Sequence, residues 1–244
     1  MSASYAALAC ACLILLGACR SSPQHEPEIS PIFPASEVLN EDATYPIDVY
    51  DPLEGLNRRL YTFNYYFDKF VFLPIVNVYD FVAPDLLQKG ITNVFENVYE
   101  VRNFANTLFQ LKGKVAFRTL GRFLVNTTVG IGGLWDPATR MGLHRQVEDF
   151  GQTLGHYGTG NGPYLILPIL GPSNLRDGVG SMLDAALILP LWLLTGDYSS
   201  VVGGTLTVSS RNNVAFRYYE TDSPFEYELV RFLYTKKREL EIIK

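Results

Sequence analysis

Residues 51–58 read Asp51-Pro52-Leu53-Glu54-Gly55-Leu56-Asn57-Arg58, and this stretch opens the part of the chain that we expect to fold. Asp51 takes the N-cap position, Pro52 the first helical position and Glu54 the third, which is the pattern of a capping box. The stretch therefore predicts the start of an amphipathic helix. Its apolar residues recur at helical spacing, with Asn57, Asn64 and Asp68 between them: Leu56, Leu60, Phe63, Phe67 and Phe70.

Helical patterns also account for most of the remaining chain. Ser223-Pro224-Phe225-Glu226 resembles a second capping box, and the basic residues 236–238 near the end of the helix that follows match the helix dipole. Strand alternation is scarce, and residues 206–209 (LTVS) are the best candidate. The sequence predicts a mainly α-helical protein. The other apolar residues at helical spacing are Phe95, Val98, Val101, Ala105 and Leu108, and then Val115, Phe117, Leu120 and Leu124.

The middle of the chain is rich in glycine and proline. The run Pro163–Pro172 (PYLILPILGP) is nearly all apolar, and the run Ala185–Leu194 contains Pro190. Proline rules out a regular helix in the first run and kinks a helix in the second. Apolar segments of this length are either core or membrane-interface segments, and both interpretations stay open here. The candidate membrane contacts are Leu165, Leu167, Leu189 and Trp192.

The N-terminal segment resembles a signal peptide followed by a lipid-attachment site. Residues 6–18 (AALACACLILLGA) are apolar but shorter than the roughly 20 residues that cross a bilayer. Leu16-Gly17-Ala18-Cys19 resembles the bacterial lipobox, which implies cleavage before Cys19 and acylation of its thiol; a buried helix with a chance cysteine is the alternative. We predict a signal peptide at 1–18, a lipidated, proline-rich tether at 19–50 and one folded domain at 51–244.

Composition and cysteine usage narrow the function. A net charge of −5 argues against a basic nucleic-acid-binding face. The chain is 48% hydrophobic, yet beyond the N-terminal segment no apolar run reaches about 18 residues. All three cysteines, Cys10, Cys12 and Cys19, lie in or beside the predicted signal peptide, so a disulfide framework is not expected. Abundant apolar surface without a spanning segment is the first indication of membrane contact.

No catalytic, metal or cofactor site is predicted. His144, Glu148 and His156 do not have a zinc-site spacing, and the glycine-rich stretch 158–162 does not open a helix as a phosphate loop does. Irregular backbone at membrane depth must be satisfied by protein or by a water-filled cavity. The glycine-rich segment therefore predicts the lining of a pore or groove, and we do not expect an enzyme.

Several blocks, in order, resemble the VacJ/MlaA family of lipoproteins over residues 48–239. Asp51–Arg58 resembles the opening block DPLEGFNR, with Leu56 in place of the usual Phe. Residues 149–158 (DFGQTLGHYG) resemble the most distinctive block. The further blocks are 63–64 (FN), 123–130 (FLVNTTVG), 132–136 (GGLWD), 162–165 (GPYL), 175–177 (LRD) and 222–224 (DSP).

The resemblance implies an architecture, a function and partners. It implies a single-domain, ring-like helical bundle around an amphipathic channel, embedded in the inner leaflet of the cell outer membrane and lipid-anchored at its periplasmic face. Such a protein removes mislocalised phospholipids from the outer leaflet, associates with a porin trimer and passes the lipid to a periplasmic carrier of the MlaC type. Arg20 after Cys19 fits, since Asp there is the usual inner-membrane retention signal. A structural porin-associated lipoprotein and a lipid hydrolase are the alternatives.

The candidate lipid path is the glycine-rich stretch with the charged pair that follows the apolar run. Small residues would leave room for a head group, and the guanidinium of Arg176 offers a donor fork that suits phosphate. Turn-forming glycines and a structural Arg176–Asp177 pair are the alternative interpretation. The candidate residues are Gly155, Gly158, Gly160, Gly162, Arg176 and Asp177.

Overall fold

The computed structural model describes residues 49–193, 196–221 and 223–243. Cys19, the predicted signal peptide and most of the tether lie outside the described residues. The elements, in chain order, are α1 Glu54–Phe67, a π-helical turn Asp68–Phe72, α2 Leu73–Val82, α3 Asp85–Phe109, α4 Gly113–Thr128, α5 Pro137–Arg140, α6 Phe150–His156, β1 Tyr164–Leu167, β2 Gly171–Asn174, α7 Leu175–Leu193, a 3₁₀ turn Gly196–Tyr198, α8 Ser199–Asn212 and α9 Glu226–Ile243.

The mainly helical fold is confirmed, but the helices bury their polar faces. Helix α3 packs extensively against α4. The residues that α4 buries are Ala116, Thr119, Arg122 and Asn126, whereas Phe117 is 80% exposed. The usual amphipathic helix of a water-soluble protein has the opposite arrangement. Along α3 the buried residues are again polar and recur every three or four positions: Asn97, Glu100, Asn103, Asn106 and Thr107.

The exterior of the described part is correspondingly apolar. Phe81 at the end of α2 is 90% exposed and Leu86 at the start of α3 is 84% exposed. The small apolar core centres on Tyr61 of α1, Tyr164 and Ile166 of β1, and Tyr227 of α9. Within the described residues, buried polar side chains outnumber buried apolar ones. A lone exposed leucine is ordinary, but an exterior this rich in exposed aromatic and aliphatic side chains indicates contact with something other than water.

The start of α1 differs from the predicted capping box. The helix begins at Glu54, and its N-cap residue makes no side-chain capping bond. The Asp51 carboxylate instead accepts hydrogen bonds from Asn57 Nδ2 at 2.7 Å, Tyr227 Oη at 2.5 Å and an Arg231 nitrogen at 3.1 Å. The capping box was therefore the wrong interpretation, because Asp51 ties α1 to α9 rather than closing its own helix.

Two asparagines of α1 anchor the single β-hairpin of the described region. Strands β1 and β2 pair antiparallel, with Tyr164 opposite Asn174. Asn57 donates to the carbonyl of Tyr164 at 3.0 Å and accepts from the amide of Ile166 at 2.9 Å. Asn64, two helical turns further on, makes the same kind of pair with residues 167 and 169. The side-chain amides thus take the place of a third strand and satisfy one edge of the hairpin.

Two further predictions from the sequence were wrong: the strand at residues 206–209 and the capping box at residues 223–226. Residues 206–209 lie in α8 and form no strand. Helix α9 begins at Glu226, but the Glu226 carboxylate accepts from Thr221 N at 3.2 Å and from Tyr61 Oη at 2.7 Å rather than completing a box with Ser223. The basic residues 236–238 lie before the final turn, because the helix continues to Ile243. Tertiary packing overrides the local β propensity of residues 206–209.

No single helix in the described ranges is both long enough and apolar enough to cross a membrane. The bent pair formed by residues 54–82 and 85–109 meets the length and hydropathy criteria only when its two helices are taken together, and they meet at 119°.

Helices α6 and α7 pack closely against each other at Gly180. A Cβ on Gly180 would lie 2.4 Å from the backbone nitrogen of Gly151. We expect Gly180→Ala to lower the free energy of unfolding by about 1–3 kcal/mol, because backbone atoms must move to admit the methyl group. Chemical unfolding in detergent measures the difference. The matched control is Gly204→Ala, where a Cβ meets nothing within 4 Å and the free energy should stay the same or rise slightly. Equal values for Gly180→Ala and wild type would contradict the close crossing.

Candidate functional site

A partly open cavity of about 910 Å³ lies among α3, α6, the β-hairpin, α7, α8 and α9. Its lining combines charged and apolar side chains, so it can hold a molecule that has both kinds of surface. The charged members are Arg102, Asp149, Asp177, Asp184, Lys237, Arg238 and Glu241. The larger apolar members are Val147, Leu167, Leu170, Ile188, Leu189 and Leu206.

Arg238 of α9 organises the charged side of this cavity. Its guanidinium donates two hydrogen bonds to Asp149 at 2.8 Å each and one to Asp177 at 2.7 Å, and it also contacts Glu241 at 2.8 Å. Asp149 is at the same time the N-cap of α6, where it accepts from the amide of Gln152 at 2.8 Å. One arginine therefore fastens the start of α6 and the first turn of α7 to α9.

Asp177 is a buried acceptor shared by several donors. Besides Arg238, it accepts from Arg176 Nε at 2.9 Å, Asn174 Nδ2 at 2.7 Å and Tyr234 Oη at 2.9 Å. Burial raises the pKa of Asp177, but the hydrogen bonds and charges of Arg238 and Arg176 outweigh burial and leave the pKa below its ordinary value. Asp177 is therefore a charged anchor for the wall of the cavity.

Asp184 lies about two helical turns further along α7, and its pKa is raised rather than lowered. Burial raises its pKa, and the hydrogen bonds from the amide of Phe150 and from Asn106, together with the charge of Arg102, offset this only in part. Asp184 accepts from Asn106 at 2.8 Å and from the Phe150 amide at 3.0 Å. It joins α3, α6 and α7 at the cavity wall.

The candidate lipid-path residues fall in different places. Asp177 lines the cavity, whereas Arg176 is buried beside it, pairs with Asp177 at 2.9 Å and is not part of the lining. Gly155 packs closely against Ile242, since a Cβ there would meet that side chain at 2.4 Å. None of the four candidate glycines, Gly155, Gly158, Gly160 and Gly162, lines the cavity either. The assignment of the lipid path therefore stays a prediction. Gly158 and Gly162 have positive φ, and a Cβ on Gly160 would meet open space.

The candidate membrane contacts also divide. Leu165 and Leu167 are half-buried in β1, and Leu167 and Leu189 line the cavity. Leu189 is also 53% exposed. The side chain of Trp192 lies outside the described part. Contact of these residues with lipid stays a prediction.

A second buried network joins α3, α4 and α5 and was not predicted from the sequence. Arg122 is buried and donates to Glu100 at 2.9 Å, to Asp136 at 3.1 Å and to Thr139 at 2.9 Å. The signal was present as a polar stripe at helical spacing on α3 and α4, of which Asn97, Glu100 and Asn103 are part. Reading that stripe as the buried face would have found the network.

Asp136 gives this network a pH dependence. Burial raises its pKa, but hydrogen bonds from Thr139, Arg122 and Asn126 outweigh burial and lower the pKa from 3.8 to about 2. Because the folded pKa is below the unfolded one, the carboxylate stabilises the fold above pH 3.8, and this contribution disappears as the pH falls through about 2.

We therefore expect Asp136→Asn to destabilise the protein near neutral pH and to weaken the loss of stability on acidification. Unfolding midpoints at about pH 5 and about pH 3 measure that loss. The exposed Asp197 provides the control, since Asp197→Asn should keep the wild-type pH dependence. An Asp136→Asn protein that loses as much stability as wild type between the two pH values would contradict the assignment.

Within the described ranges, no group of three or more His, Cys, Asp or Glu side chains is placed to hold a metal ion.

Helices with polar buried faces and apolar exposed faces surround an amphipathic cavity, which makes this a helical protein with an apolar exterior. The chain belongs to the MlaA lipoprotein family, whose model, described as "MlaA lipoprotein", matches residues 49–241. Family membership makes it a membrane-associated lipoprotein and confirms the predicted resemblance.

Individual relatives agree with this placement. The chain is 32% identical over 177 residues to the intermembrane phospholipid transport system lipoprotein MlaA of Haemophilus influenzae, covering 70% of each chain. It is 39% identical to an uncharacterized Rickettsia prowazekii protein over 61% of this chain, and it spans 59% of that relative's length. A solved structure reported under "Structural basis for maintenance of bacterial outer membrane lipid asymmetry" matches with a TM-score of 0.65 and 29% identity, covering 80% of this chain and all of that one.

Proposed function

We propose that this protein is an outer-membrane lipoprotein that takes mislocalised phospholipids from the outer leaflet through its cavity to a periplasmic carrier, and so maintains lipid asymmetry. The observation that carries the proposal is the amphipathic lining of the 910 Å³ cavity. A phospholipid has a charged head group and apolar chains, and the two kinds of lining side chain match these parts. Transport needs no bond to be broken, so no catalytic group is required.

The exterior of the protein supports insertion into one leaflet. Large side chains on α2, α3 and α4 are exposed, with Phe81 at 90% and Phe117 at 80%. Burial of apolar surface stabilises by about 25 cal/mol per Å², so lipid is a favourable environment for these helices. The polar groups would then lie in the interior of the protein, where the helices shield them from hydrocarbon. Polar groups in membrane proteins are found in such interior positions.

The comparisons support the pathway and the location. The H. influenzae relative is named as part of an intermembrane phospholipid transport system, and the matching solved structure concerns outer-membrane lipid asymmetry. We extend both to this chain. Anchoring at the periplasmic face, association with a porin trimer and delivery to a carrier of the MlaC type follow from the family resemblance and complete the proposal.

Filling the cavity tests transport directly. Gly203 lines the cavity and has nothing within 4 Å of a built Cβ, whereas its neighbour Gly204 has the same free space but does not line the cavity. In a deletion strain, Gly203→Phe should leave protein abundance normal but fail to restore low outer-leaflet phospholipid. Gly204→Phe should restore it as wild type does. The measurement is surface labelling of phospholipid amines together with immunoblotting.

The outcomes separate the alternative functions. Equal complementation by both variants would argue against lipid passage through the cavity and for a structural porin-associated lipoprotein. Lysophospholipid that accumulates only when wild-type protein is present would favour a lipid hydrolase instead.

Membrane contact of the exterior gives a separate prediction. A photo-crosslinking amino acid at Phe117 should capture phospholipid in intact membranes, because this position is exposed and apolar. The same amino acid at Leu189 tests the predicted contact there. Lys236, which is 51% exposed and pairs with Glu239, is the control and should capture little lipid. Crosslinks at Phe117 to protein alone would contradict insertion of α4 into a leaflet.

A further inference from the structure

The cavity wall contains three cations that differ in how they are paired. Arg238 is held by the carboxylates of Asp149 and Asp177 at 2.7–2.8 Å. Lys237 is 72% exposed and lies 3.8 Å from a carboxylate of its own helix. Arg102 of α3 is the third. The first two are therefore matched by carboxylates already present in the protein.

No carboxylate of the described residues is paired with Arg102 in this way. Its guanidinium stacks over the ring of Tyr99 at 4.9 Å from the ring centroid. Its one hydrogen bond within the described chain is a long one, 3.5 Å to Asn103 Oδ1, and its buried Nε donates none. No carboxylate of the described residues forms an ion pair with it within 4.0 Å. A guanidinium has five N–H donors, so most of its donor capacity is unused.

The charge of Arg102 acts on the carboxylates of Asp149 and Asp184 at a distance, but both accept their hydrogen bonds from other donors. Asp149 receives both hydrogen bonds of the Arg238 fork at 2.8 Å. Asp184 receives a side-chain amide at 2.8 Å and a backbone amide at 3.0 Å. Arg102 is thus a positive charge that lies over an aromatic ring beside the cavity, and most of its N–H donors have no protein partner among the described residues.

We propose that Arg102 binds the phosphate of the phospholipid head group within the cavity and so selects phospholipids over uncharged lipids. This inference rests on the proposed function and names the chemical group that the cavity recognises. A guanidinium pairs with phosphate through two parallel hydrogen bonds, and the cation–π contact with Tyr99 holds the Arg102 guanidinium beside the cavity. Leu170, Ile188 and Leu206 in the same cavity provide the apolar surface for acyl chains.

Free inorganic phosphate could supply the same chemistry without acyl chains. The apolar part of the lining favours a lipid, because free phosphate would leave those side chains without a partner. The experiment therefore compares three probes: a fluorescent phosphatidylethanolamine, a fluorescent diacylglycerol with the same chains, and inorganic phosphate as a competitor.

The experiment measures binding of each probe to the purified, acylated full chain in detergent micelles. Wild type should bind the phospholipid more tightly than the diacylglycerol. Arg102→Gln should weaken phospholipid binding about tenfold, as expected for loss of a charge-assisted hydrogen bond, and leave diacylglycerol binding unchanged. Arg102→Lys should lose less, because the charge remains but the fork does not. Arg140→Gln is the matched control: Arg140 also stacks on an aromatic ring, Trp135, but lies outside the cavity lining.

Any other result would contradict the role of Arg102, and the results differ in what they mean for the proposed transport function. If wild type prefers the phospholipid and Arg102→Gln keeps that preference, head-group recognition lies elsewhere while the proposed function stands. If Arg102→Gln weakens both lipids equally, Arg102 has a structural role, and the function again stands. If wild type binds neither lipid, the transport function fails as well. Competition by inorganic phosphate that matches the phospholipid in affinity would identify a simple anion site instead.

Discussion

Arg238→Met is expected to lower the free energy of unfolding by about 3–5 kcal/mol, because it removes one partner of a buried ionic network and leaves the other charged. The guanidinium is 10% exposed and holds Asp149 and Asp177, which lie 89 and 61 residues away in the sequence. Methionine fills similar space, so the loss is mainly that of the ion pair of Asp149, while Asp177 keeps Arg176 as a partner at 2.9 Å. The connection of α9 to the starts of α6 and α7 should weaken with it.

Lys237→Met is the matched control for this prediction. Lys237 is the neighbouring residue, 72% exposed, and its contact with Glu241 is 3.8 Å long. Exposed pairs of this kind contribute little, so the free energy of unfolding should change by less than about 1 kcal/mol. Denaturant unfolding of the purified proteins in detergent and their abundance in cells measure both. Similar values for the two variants would mean that Arg238 is not the organising residue of the cavity wall.

Cys19→Ser is expected to abolish acylation completely, because serine lacks the thiol to which the lipid is attached. The prediction comes from Leu16-Gly17-Ala18-Cys19 and lies outside the described residues. Each buried CH₂ of an acyl chain contributes about 0.8 kcal/mol to membrane binding, so loss of the chains removes the firm anchor. We expect the precursor to keep its signal peptide, and little of the protein to reach the outer membrane.

Labelling with a radioactive fatty acid, followed by membrane fractionation, tests the anchor. Cys12→Ser is the control, because Cys12 lies within the predicted signal peptide and should be dispensable. Label that remains on Cys19→Ser, or label missing from wild type, would refute the assignment. Acylation is the decisive readout, because the apolar exterior can hold some unlipidated protein at a membrane.

The sequence predicted the helices better than it predicted their buried faces. Helical spacing at 95–108 and 115–124 correctly indicated α3 and α4. The same helices contain an apolar and a polar stripe, and periodicity alone does not say which of them is buried. Arg122 is buried, whereas Phe117 is exposed, because the neighbours of Arg122 in space offer it three side-chain acceptors, Glu100, Asp136 and Thr139.

Capping patterns failed where a residue had a distant partner. Asp51 looked like an N-cap, yet its carboxylate binds Tyr227 and Arg231 of α9. Residues 206–209 looked like a strand because their β propensity is a local property, while packing of α8 against α2 and α3 is not. Local patterns compete with such contacts, and the contacts prevail when they satisfy buried polar groups.

The sequence by itself determined the family and the helical class and predicted a lipid anchor, since each depends on short blocks of residues that lie close together along the chain. The cavity and its charges were decided only by the tertiary structure. Arg176 looked suited to phosphate, but its neighbour Asp177 pairs with it; Arg102, which no pattern singled out, is left with free donors beside the cavity. Which guanidinium remains unpaired depends on carboxylates tens of residues away, and only folding brings those groups within hydrogen-bonding distance.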